Sequence, residues 1–428
     1  MSGILFGVIV GVLAAAGLHT AYAQSTSTPL PVVCEGADSL VGQDLSSGGQ
    51  RSFIGNVRFR QGDVTVRCDR ATQLEGSNTV DLFGNVVVRQ GTVTMRSVSA
   101  RYDGNSHLAT ASGNVLLTDR HHTLSARQGT YSTDTRKATF EQNVRATNDT
   151  VVVWSNRAWY DRPPEVRTAA GMVLALDSST HTILQADSLL HDPSADSLRA
   201  IGHAIVWLQD SVLMVVQANS MAVYQHGRDD SVVATGSVQL YHPSFAATAA
   251  SLRHHESLGT TWLEGDPVLW ADSSQLTADT ILVEAPAQQL QRIVGRGRGL
   301  LAARSDSLYP DRIDQVLGDM VVVRVANDTI RSIAAHPNAR SITWRWEGTD
   351  PQGVATFASD SLSATMQDGA INDVLWLEGV AGEVVPERLA AGKEGSFNAS
   401  SLHWHADRPK PLPPPTLPKV PDSATVRP

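Results

Sequence analysis

The sequence predicts an all-β fold, a β-solenoid of stacked repeats of about 29 residues. Three observations predict it: a short phrase recurs at constant spacing, apolar and polar residues alternate between turns, and no convincing 3.6-residue periodicity occurs beyond the N-terminus. Hydrophobic residues make up 42% and charged residues 18% of the 428-residue chain, a balance typical of an ordered protein. Length alone would predict two or three domains, but each unit of a solenoid needs only its neighbours.

The recurring phrase is Gly-Asn-Val, complete in its first copies and looser in the later ones. It starts at Gly55, Gly84, Gly113, Gln142 and Gly171 at intervals of 29 residues, and then at Gly202, Gly236 and Gly265 after 31, 34 and 29 residues. A fixed period of this size indicates copies of one small β unit that cannot bury its apolar face alone. The few extra residues of the longer intervals are expected in surface turns, where insertions cost little.

Strands are expected between the turns. In Val57-Arg58-Phe59-Arg60 the two apolar residues face one side and the two arginines face the other, which is the alternation of a half-buried β-strand. Gly-containing clusters such as Gln61-Gly62-Asp63 and Asp103-Gly104-Asn105 separate these runs. Gly, Asn and Asp accept the positive φ of tight turns, so each cluster predicts a hairpin connection.

The N-terminus has the features of a signal peptide. Ile4 to Leu18 is an uncharged, mainly apolar run, and Ala21-Tyr22-Ala23 before Gln24 has the small-x-small form of a cleavage site. We therefore expect residues 1–23 to be removed on export; the alternative is an uncleaved anchor helix. No later segment is long and apolar enough to cross a bilayer as a helix.

The chain has only two cysteines, Cys34 and Cys68. In an oxidising compartment they could form a disulfide that holds the N-terminal leader against the first strands. The alternative is that Cys68 is simply an inward-facing small residue, because it alternates in register with Val64 and Val66.

The net charge of −9 argues against nucleic-acid binding as the main function. The charge is uneven, because residues 51–145 contain 13 Lys and Arg against 8 Asp and Glu. This local excess of cations could meet an anionic partner, or it could be an ordinary solvated face.

No catalytic, cofactor or metal motif is predicted. The run from Gly295 to Gly299 is not followed by a helix signal, so it does not match a nucleotide-binding loop. The neighbouring histidines at His121-His122 and His254-His255 point to opposite faces of a strand, which disfavours joint metal binding. Asp-Ser pairs at Asp187 and Asp306 recur at corresponding points of the repeat and are interpreted as structural.

The repeated phrases, together with the downstream Ala100-Arg101-Tyr102, resemble the OstA/LptA superfamily of lipopolysaccharide-transport proteins. The similarity extends over about residues 50–300, and a second block from Asp311 to Trp404 looks like the C-terminal part of long OstA-like proteins. The expected organisation is a signal peptide at 1–23, a leader at 24–50, jellyroll repeats at 51–305, a second OstA-like β module at 306–405, and a Pro-rich disordered tail at 406–428.

The resemblance implies an elongated β-jellyroll, a "β-taco", with an open apolar slot for lipid acyl chains. The residues expected to line the slot are Val57, Phe59, Val86, Val88, Val115, Leu117, Ile205, Trp207, Val238, Leu240 and Trp270. The same residues could instead fill a closed core, as in any solenoid, and the sequence does not distinguish the two.

The resemblance further implies a non-enzymatic periplasmic carrier or bridge that moves lipopolysaccharide, or a related lipid, to the outer membrane, without a cofactor. Open strand edges could pair head-to-tail with a second copy or with other jellyroll components of a transport machinery. The alternatives are a structural or adhesive solenoid of the cell envelope and a carbohydrate-active β-helix, although no in-phase cluster of carboxylates supports the enzyme.

Overall fold

The computed structural model describes residues 33–418, with gaps at 46–47, 62, 75–78, 104, 120–121, 133–134, 136, 162–166, 196, 210–212, 225–230, 256, 287–288, 305–307, 327–328 and 368–369. The predicted signal peptide and residues 419–428 of the predicted tail lie outside the described residues. The described residues divide into an N-terminal unit, residues 33–204 with 415–418, and a C-terminal unit, residues 205–414. This division differs from the expected boundary near residue 305.

The N-terminal unit is built from β-strands and one 3-10 turn at Pro193–Ala195. Its strands are β1 (Val33–Gly36), β2 (Ser39–Leu45), β3 (Gly48–Gln61), β4 (Val64–Leu74), β5 (Thr79–Gln90), β6 (Val93–Asp103), β7 (Leu108–Asp119), β8 (His122–Ser132), β9 (Lys137–Thr147), β10 (Val151–Asp161), β11 (Arg167–Asp177), β12 (Thr182–Asp192) and the larger part of β13 (Ser197–Gln209). The predicted all-β fold is confirmed.

The C-terminal unit continues from the end of β13. Its strands are β14 (Leu213–Tyr224), β15 (Ser231–His242), β16 (Phe245–His255), β17 (Thr260–Glu264), β18 (Val268–Ala271), β19 (Ser274–Thr277), β20 (Thr280–Glu284), β21 (Arg292–Arg304), β22 (Ile313–Ala326), β23 (Thr329–His336), β24 (Ala339–Glu347), β25 (Asp350–Ser359), β26 (Ser361–Gln367), β27 (Ala370–Leu377) and β28 (Ala381–Pro386). Two one-turn helices follow, α1 (Glu387–Ala390) and α2 (Glu394–Phe397). Within the described residues no helix has the length and apolarity to span a membrane.

Neighbouring strands pair antiparallel, as the turn spacing predicts, from β3 with β4 to β11 with β12. The leader also joins the sheet, because β1 and β2 pair with the two ends of β3. In the C-terminal unit several long strands are broken into two shorter ones. For example, β17 and β18 are two halves that both pair with β16, on either side of Gly265-Asp266.

The Gly-Asn phrase is a corner in the middle of a strand. Gly84 and Asn85 both have positive φ, +71° and +46°, and the pairing of β5 with β6 shifts register between Phe83 and Val86. A Cβ on Gly84 would lie 2.2 Å from an Asp69 carboxylate oxygen, which accepts a hydrogen bond of 2.9 Å from Asn85 Nδ2. Glycine is therefore required for its backbone conformation and for the close approach of Asp69.

The corner repeats along the chain with the spacing of the sequence phrase. Positive φ pairs recur at Gly55-Asn56, Gly113-Asn114, Gln142-Asn143, Gly171-Met172, Gly202-His203, Gly236-Ser237 and Gly265-Asp266. At the corner where His203 replaces Asn, the histidine makes the partner contact: His203 Nδ1 lies 2.9 Å from an Asp187 carboxylate oxygen. The period of the sequence is thus the period at which the sheet bends.

Of the two interpretations of the cysteines, the structure has the one without a bond: Cys34 and Cys68 are both free thiols. Cys34 is exposed on β1, whereas Cys68 is 5% exposed in a cluster with Val57, Ala71 and Val86. Burial, with a smaller contribution from the Asp69 charge, raises the pKa of Cys68 to about 11. Cys68 is therefore the small inward-facing core residue of the alternative interpretation.

Candidate functional site

Each corner folds a strand into two halves whose inner faces meet. In β3, the half before the corner contributes Phe53 and the half after it contributes Phe59; their rings touch edge to face with centroids 5.2 Å apart. Both rings pack on Val57, which follows the corner and is fully buried. The N-terminal unit therefore has two facing walls joined along a buried seam.

Cross-strand pairing defines the inner row of each wall. The inner row of the "Phe59 wall" is Phe59, Val66, Val88, Met95, Leu117, Leu124, Ala146, Val153, Ala175 and Leu184. The inner row of the "Phe53 wall" is Phe53, Ala71, Leu82, Ala100, Ala111, Gly129, Phe140, Ala158, Ala169 and Leu189. Both rows consist of apolar side chains and one glycine.

The space between the walls is open in one part of the unit and closed in the other. On the Phe59 wall, the residues from Phe59 to Ala146 are only half-buried. From β10 onward the same row is closed, with Val153 and Ala175 2% exposed and Leu184 4% exposed. We call the open part, between the two walls over β3–β9, the inner groove.

The rim of the Phe53 wall carries tyrosines. Tyr102 and Tyr131 are 39% and 44% exposed and lie in one cross-strand row that leads through Tyr160 to Arg167 and His191. Tyrosine has an apolar ring and a polar hydroxyl, which suits a boundary between an apolar groove and water. The rim is therefore amphipathic.

A buried cation stands at the end of this row. Arg167 is 6% exposed; its guanidinium lies 5.5 Å from the centre of the Tyr160 ring, and its Nη1 lies 3.2 Å from His191 Nδ1. Because arginine only donates hydrogen bonds, this contact requires a neutral His191 that accepts at Nδ1. Arg167 is therefore a buried, partnered cation beside the strands where the groove is closed.

Over β15–β21, the described residues of the C-terminal unit follow the same two-walled plan without an open groove. On one wall Leu240, Leu269 and Leu276 are 8%, 4% and 2% exposed, and on the other Leu263 and Ile281 are 2% and 0% exposed. A Cβ on Gly295 of the second wall would lie 3.2 Å from the Leu276 side chain of the first. Over these strands the interior is filled by the protein's own side chains.

The outer face of the Leu240 wall is also covered. Residues 398–414, which we call the C-terminal strap, lie across it without forming a helix or a strand. Gln315 contacts Asn398 and the Ala399 amide, and Gln275 accepts from the His405 amide and donates to the His403 carbonyl. The strap therefore differs from the disordered tail that composition predicts for residues 406–428.

Two tryptophans fasten the far part of the strap. Trp270 Nε1 donates to the His405 carbonyl at 3.1 Å, and Trp207 Nε1 donates to the Leu412 carbonyl at 3.0 Å. Trp270 is 6% exposed and Trp207 is 1% exposed. Proline-rich segments commonly bind aromatic surfaces, because they lose little conformational entropy on docking.

An ion pair anchors the start of the strap. Arg312 is 2% exposed and donates to carboxylate oxygens of Glu387, at 2.6 Å, and Glu394, at 3.3 Å. Burial by itself would lower the pKa of Arg312, but the two carboxylates raise it above its ordinary value. α1 and α2 are therefore held on the same sheet that receives the strap.

The predicted lining residues fall into four groups. Phe59, Val88 and Leu117 face the inner groove; Val57, Val86, Val115 and Val238 are at most 1% exposed in the seam beside the corners; and Leu240 faces the closed interior. Ile205, Trp207 and Trp270 do not line an inner face. Trp270 follows Leu269, which pairs in register with the Leu240 row, so Trp270 points to the opposite, strap-covered side.

Sequence reasoning missed the second wall. Phe53, Leu82 and Phe140 each stand two residues before a corner phrase, as regularly as Phe59 and Val88 stand four residues after one. That regularity was a usable signal. The pairing of Arg167 with His191 had no comparable signal, because neither residue recurs in the repeat.

Two concavities differ from the inner groove. A depression of about 430 Å³ lies at a corner and is lined by polar residues: Arg127, Glu141, Gln142, Asn143, Asn156 and Arg157. A depression of about 60 Å³ is lined by Glu35, Arg58, Phe59, Thr65, Val66, Arg67, Val87 and Arg89. Neither is an apolar cavity. The described residues include no group of three or more His, Cys, Asp or Glu side chains able to hold a metal ion.

Comparison with known proteins supports the sequence resemblance. Residues 31–128 match the model of the OstA-like protein family. The matched stretch covers β1 to most of β8, which carries most of the inner groove. No curated protein matches the chain.

Among solved structures, the chain is similar to LptH from Pseudomonas aeruginosa, described as the LptA-homologous periplasmic component of the conserved lipopolysaccharide transport device. The sequence identity is 14%, the match covers 33% of this chain and 95% of that one, and the TM-score is 0.26.

Proposed function

We propose that this protein, whose residues 31–128 are OstA-like in sequence, is a non-enzymatic periplasmic carrier or bridge for lipopolysaccharide. The acyl chains would lie in the inner groove of the N-terminal unit. The observation that carries the proposal is that apolar side chains from Phe59 to Leu124 remain half-exposed between two walls. Proteins in water rarely expose such a continuous row of apolar side chains unless the row binds a partner.

The energetics favour this use of the groove. An acyl chain of a dozen methylenes exposes apolar surface that costs on the order of 9 kcal/mol in water, at about 0.8 kcal/mol per CH₂. A lipid with several such chains needs an apolar path to cross an aqueous compartment. The inner rows of both walls supply only carbon and sulfur surface from their side chains, and the tyrosine rim suits the boundary with the polar head.

The partners follow from the same proposal. A bridge would join other jellyroll components of a lipopolysaccharide-transport machinery, or a second copy, through its strand edges. In the N-terminal unit β1 and β2 form such an edge, because each pairs with β3 on one side only among the described strands. Association with the outer membrane is part of this proposal.

A structural role is the second candidate, and the closed interior of the C-terminal unit favours it for that unit. With Leu276 and Ile281 at most 2% exposed, that interior has no space for an acyl chain. We therefore assign the lipid to the N-terminal unit and a supporting role to the C-terminal unit. No described residue set supports carbohydrate chemistry.

Site-specific photo-crosslinking tests the proposal. A photo-reactive residue replaces Phe59, Val88 or Leu117 in the groove, with Ile54 as the outward control and Leu240 as the closed-interior control. Ile54 is 43% exposed on the outer face of the Phe53 wall. We expect lipopolysaccharide adducts at the three groove positions and none at the controls. Equal adduct yields at Ile54 and Phe59 would contradict the proposal.

A further inference from the structure

Four arginines lie together on the outer face of the Phe59 wall. Arg58 pairs directly opposite Arg67, and Val87 separates Arg67 from Arg96 in the same cross-strand row. Arg89 lies in the neighbouring row, opposite Thr65 and Thr94. All four side chains are exposed, and we call this surface the arginine face.

The arginine face is not neutralised by the protein. Among the described residues, no ion pair joins Arg58, Arg67, Arg89 or Arg96 to a carboxylate; only Arg60, beside them, pairs with Glu35 at 2.6 Å. Like charges directly opposite each other on a sheet destabilise it. Arg58 opposite Arg67 therefore costs the isolated protein stability.

The outer face of the Phe53 wall provides an internal comparison, because its cations have partners. Arg101 lies 3.7 Å from Asp81, Arg157 lies 3.2 Å from Glu141, and Lys137 lies 3.3 Å from Asp161. Arg70 stacks 4.9 Å above the Phe83 ring. The two outer faces of one unit thus treat exposed cations differently, and only one leaves them available.

From this contrast we propose that the arginine face docks on an anionic lipid surface through phosphate head groups. Guanidinium groups bind phosphate bidentately, and all four cations of the face are arginines, with the hydroxyls of Thr65 and Thr94 between them. The face extends over β3–β6, roughly 15 Å at about 4.8 Å per strand, so it meets several phosphates at once. Its depression of about 60 Å³ is too small to enclose a lipid head group, which favours contact with a surface.

This inference is independent of what the groove carries, because it concerns the opposite face of the wall. It predicts an orientation: the wall lies along the lipid surface with its arginines on the phosphates. The attraction should weaken with salt, because the charges are exposed.

Vesicle co-sedimentation of the protein without its predicted signal peptide, residues 24–428, tests the inference. The test variant is Arg58→Gln, Arg67→Gln, Arg89→Gln and Arg96→Gln combined. The matched control, with the same charge change, combines Arg70→Gln, Arg101→Gln, Lys137→Gln and Arg157→Gln on the other wall. The vesicles contain either phosphatidylcholine alone or phosphatidylcholine with phosphatidylglycerol.

We expect the unchanged protein and the control variant to bind the anionic vesicles, and neither to bind the neutral ones. The test variant should lose about fivefold in affinity per arginine, on the order of several hundredfold in total. It should also melt at a higher temperature in low salt, because the repulsion between Arg58 and Arg67 is removed. That rise separates lost binding from misfolding.

Several outcomes would overturn the inference. Equal loss in both variants would mean that net charge alone drives the binding. No binding of the unchanged protein at low salt would exclude a lipid surface. Displacement by millimolar inorganic phosphate would indicate a soluble anion as ligand, and binding to polyglutamate but not to vesicles would indicate an acidic protein.

Discussion

The two units share one corner geometry, but the N-terminal unit has an open groove between its walls and the C-terminal unit has a closed interior. In the N-terminal unit, Phe59 and Leu117 are half-buried in an open groove, whereas Leu240, four residues after its own corner glycine like them, is 8% exposed in a closed interior. The difference does not come from residue type, because all are large apolar side chains. The difference in exposure goes with a difference in the outer faces of the two walls. The strap buries the outer face of the Leu240 wall, whereas the outer face of the Phe59 wall is exposed and carries arginines.

The comparison indicates that a wall lines an open groove where its outer face is exposed to water. Where another segment covers the outer face, the wall becomes part of the hydrophobic core. Trp207 and Trp270 turn the outer face of the Leu240 wall into an apolar surface that must be covered, and the strap covers it. On the Phe59 wall, arginines keep the outer face in water. Polarity outside thus accompanies an open space inside.

The largest expected effect is the loss of unfolding free energy when a tryptophan that contacts the strap is replaced by alanine. Trp207→Ala should destabilise the protein by about 3–5 kcal/mol, because it removes a fully buried aromatic side chain. Phe59→Ala should cost markedly less, since Phe59 is already half-exposed in the groove. Denaturant unfolding monitored by circular dichroism measures both. Equal costs would erase the distinction between the two walls.

The next largest effect should come from placing a larger side chain between the walls, which we expect to destabilise the C-terminal unit but not the N-terminal unit. Leu240→Trp should cost about 1–3 kcal/mol, because extra volume in a packed core forces strain. Leu117→Trp should leave the free energy of unfolding nearly unchanged while blocking lipopolysaccharide binding. Thermal melting and a lipid-binding assay on both variants give the answer. A destabilised Leu117→Trp would show that the groove is closed in solution.

Loss of the hydrogen bonds that hold the strap is expected to have a moderate effect. Gln275→Leu removes two bonds, to the His403 carbonyl and the His405 amide, each worth about 0.5–1.5 kcal/mol. Limited proteolysis should then cut the strap faster than in the unchanged protein. Gln73→Leu, in the N-terminal unit, is the control; faster cleavage there as well would mean that the effect is not local to the strap.

The smallest expected effect is a pH dependence of strap docking. Burial, helped by the charge of His403, lowers the pKa of His405, while Asp407 opposes the shift. The unfolded strap therefore takes up a proton before the docked one, so docking is fully stable above about pH 6.5 and weakens as pH falls through that value. Tryptophan fluorescence between pH 7.5 and 5.5 should report release. His405→Gln should flatten the profile, and the exposed His181→Gln should not; an unchanged profile in His405→Gln would exclude this cause.

The corners and strands could be predicted from local chemistry. Gly84 and Asn85 need positive φ, and this requirement recurs every 29 residues in the early repeats, so the bends were visible in the sequence. Alternation likewise assigned Phe59 and Val88 to one face. The assignment of Trp207 and Trp270 to the same lining was wrong, because each stands five residues after its corner glycine, one position beyond the inward-facing fourth residue, and so points to the opposite side of the sheet.

The sequence by itself determined where the chain bends and which side chains share a face, because both follow from φ preferences and the two-residue period of a strand. Only the tertiary structure decided which faces are covered. Leu412 reaches Trp207 across 205 residues of chain, and Gln275 meets His403 across 128. Whether another segment covers a wall depends on such long-range contacts, and the local periodicity of the sequence contains no information about them. The tertiary structure therefore decides whether a wall becomes core or lines a groove.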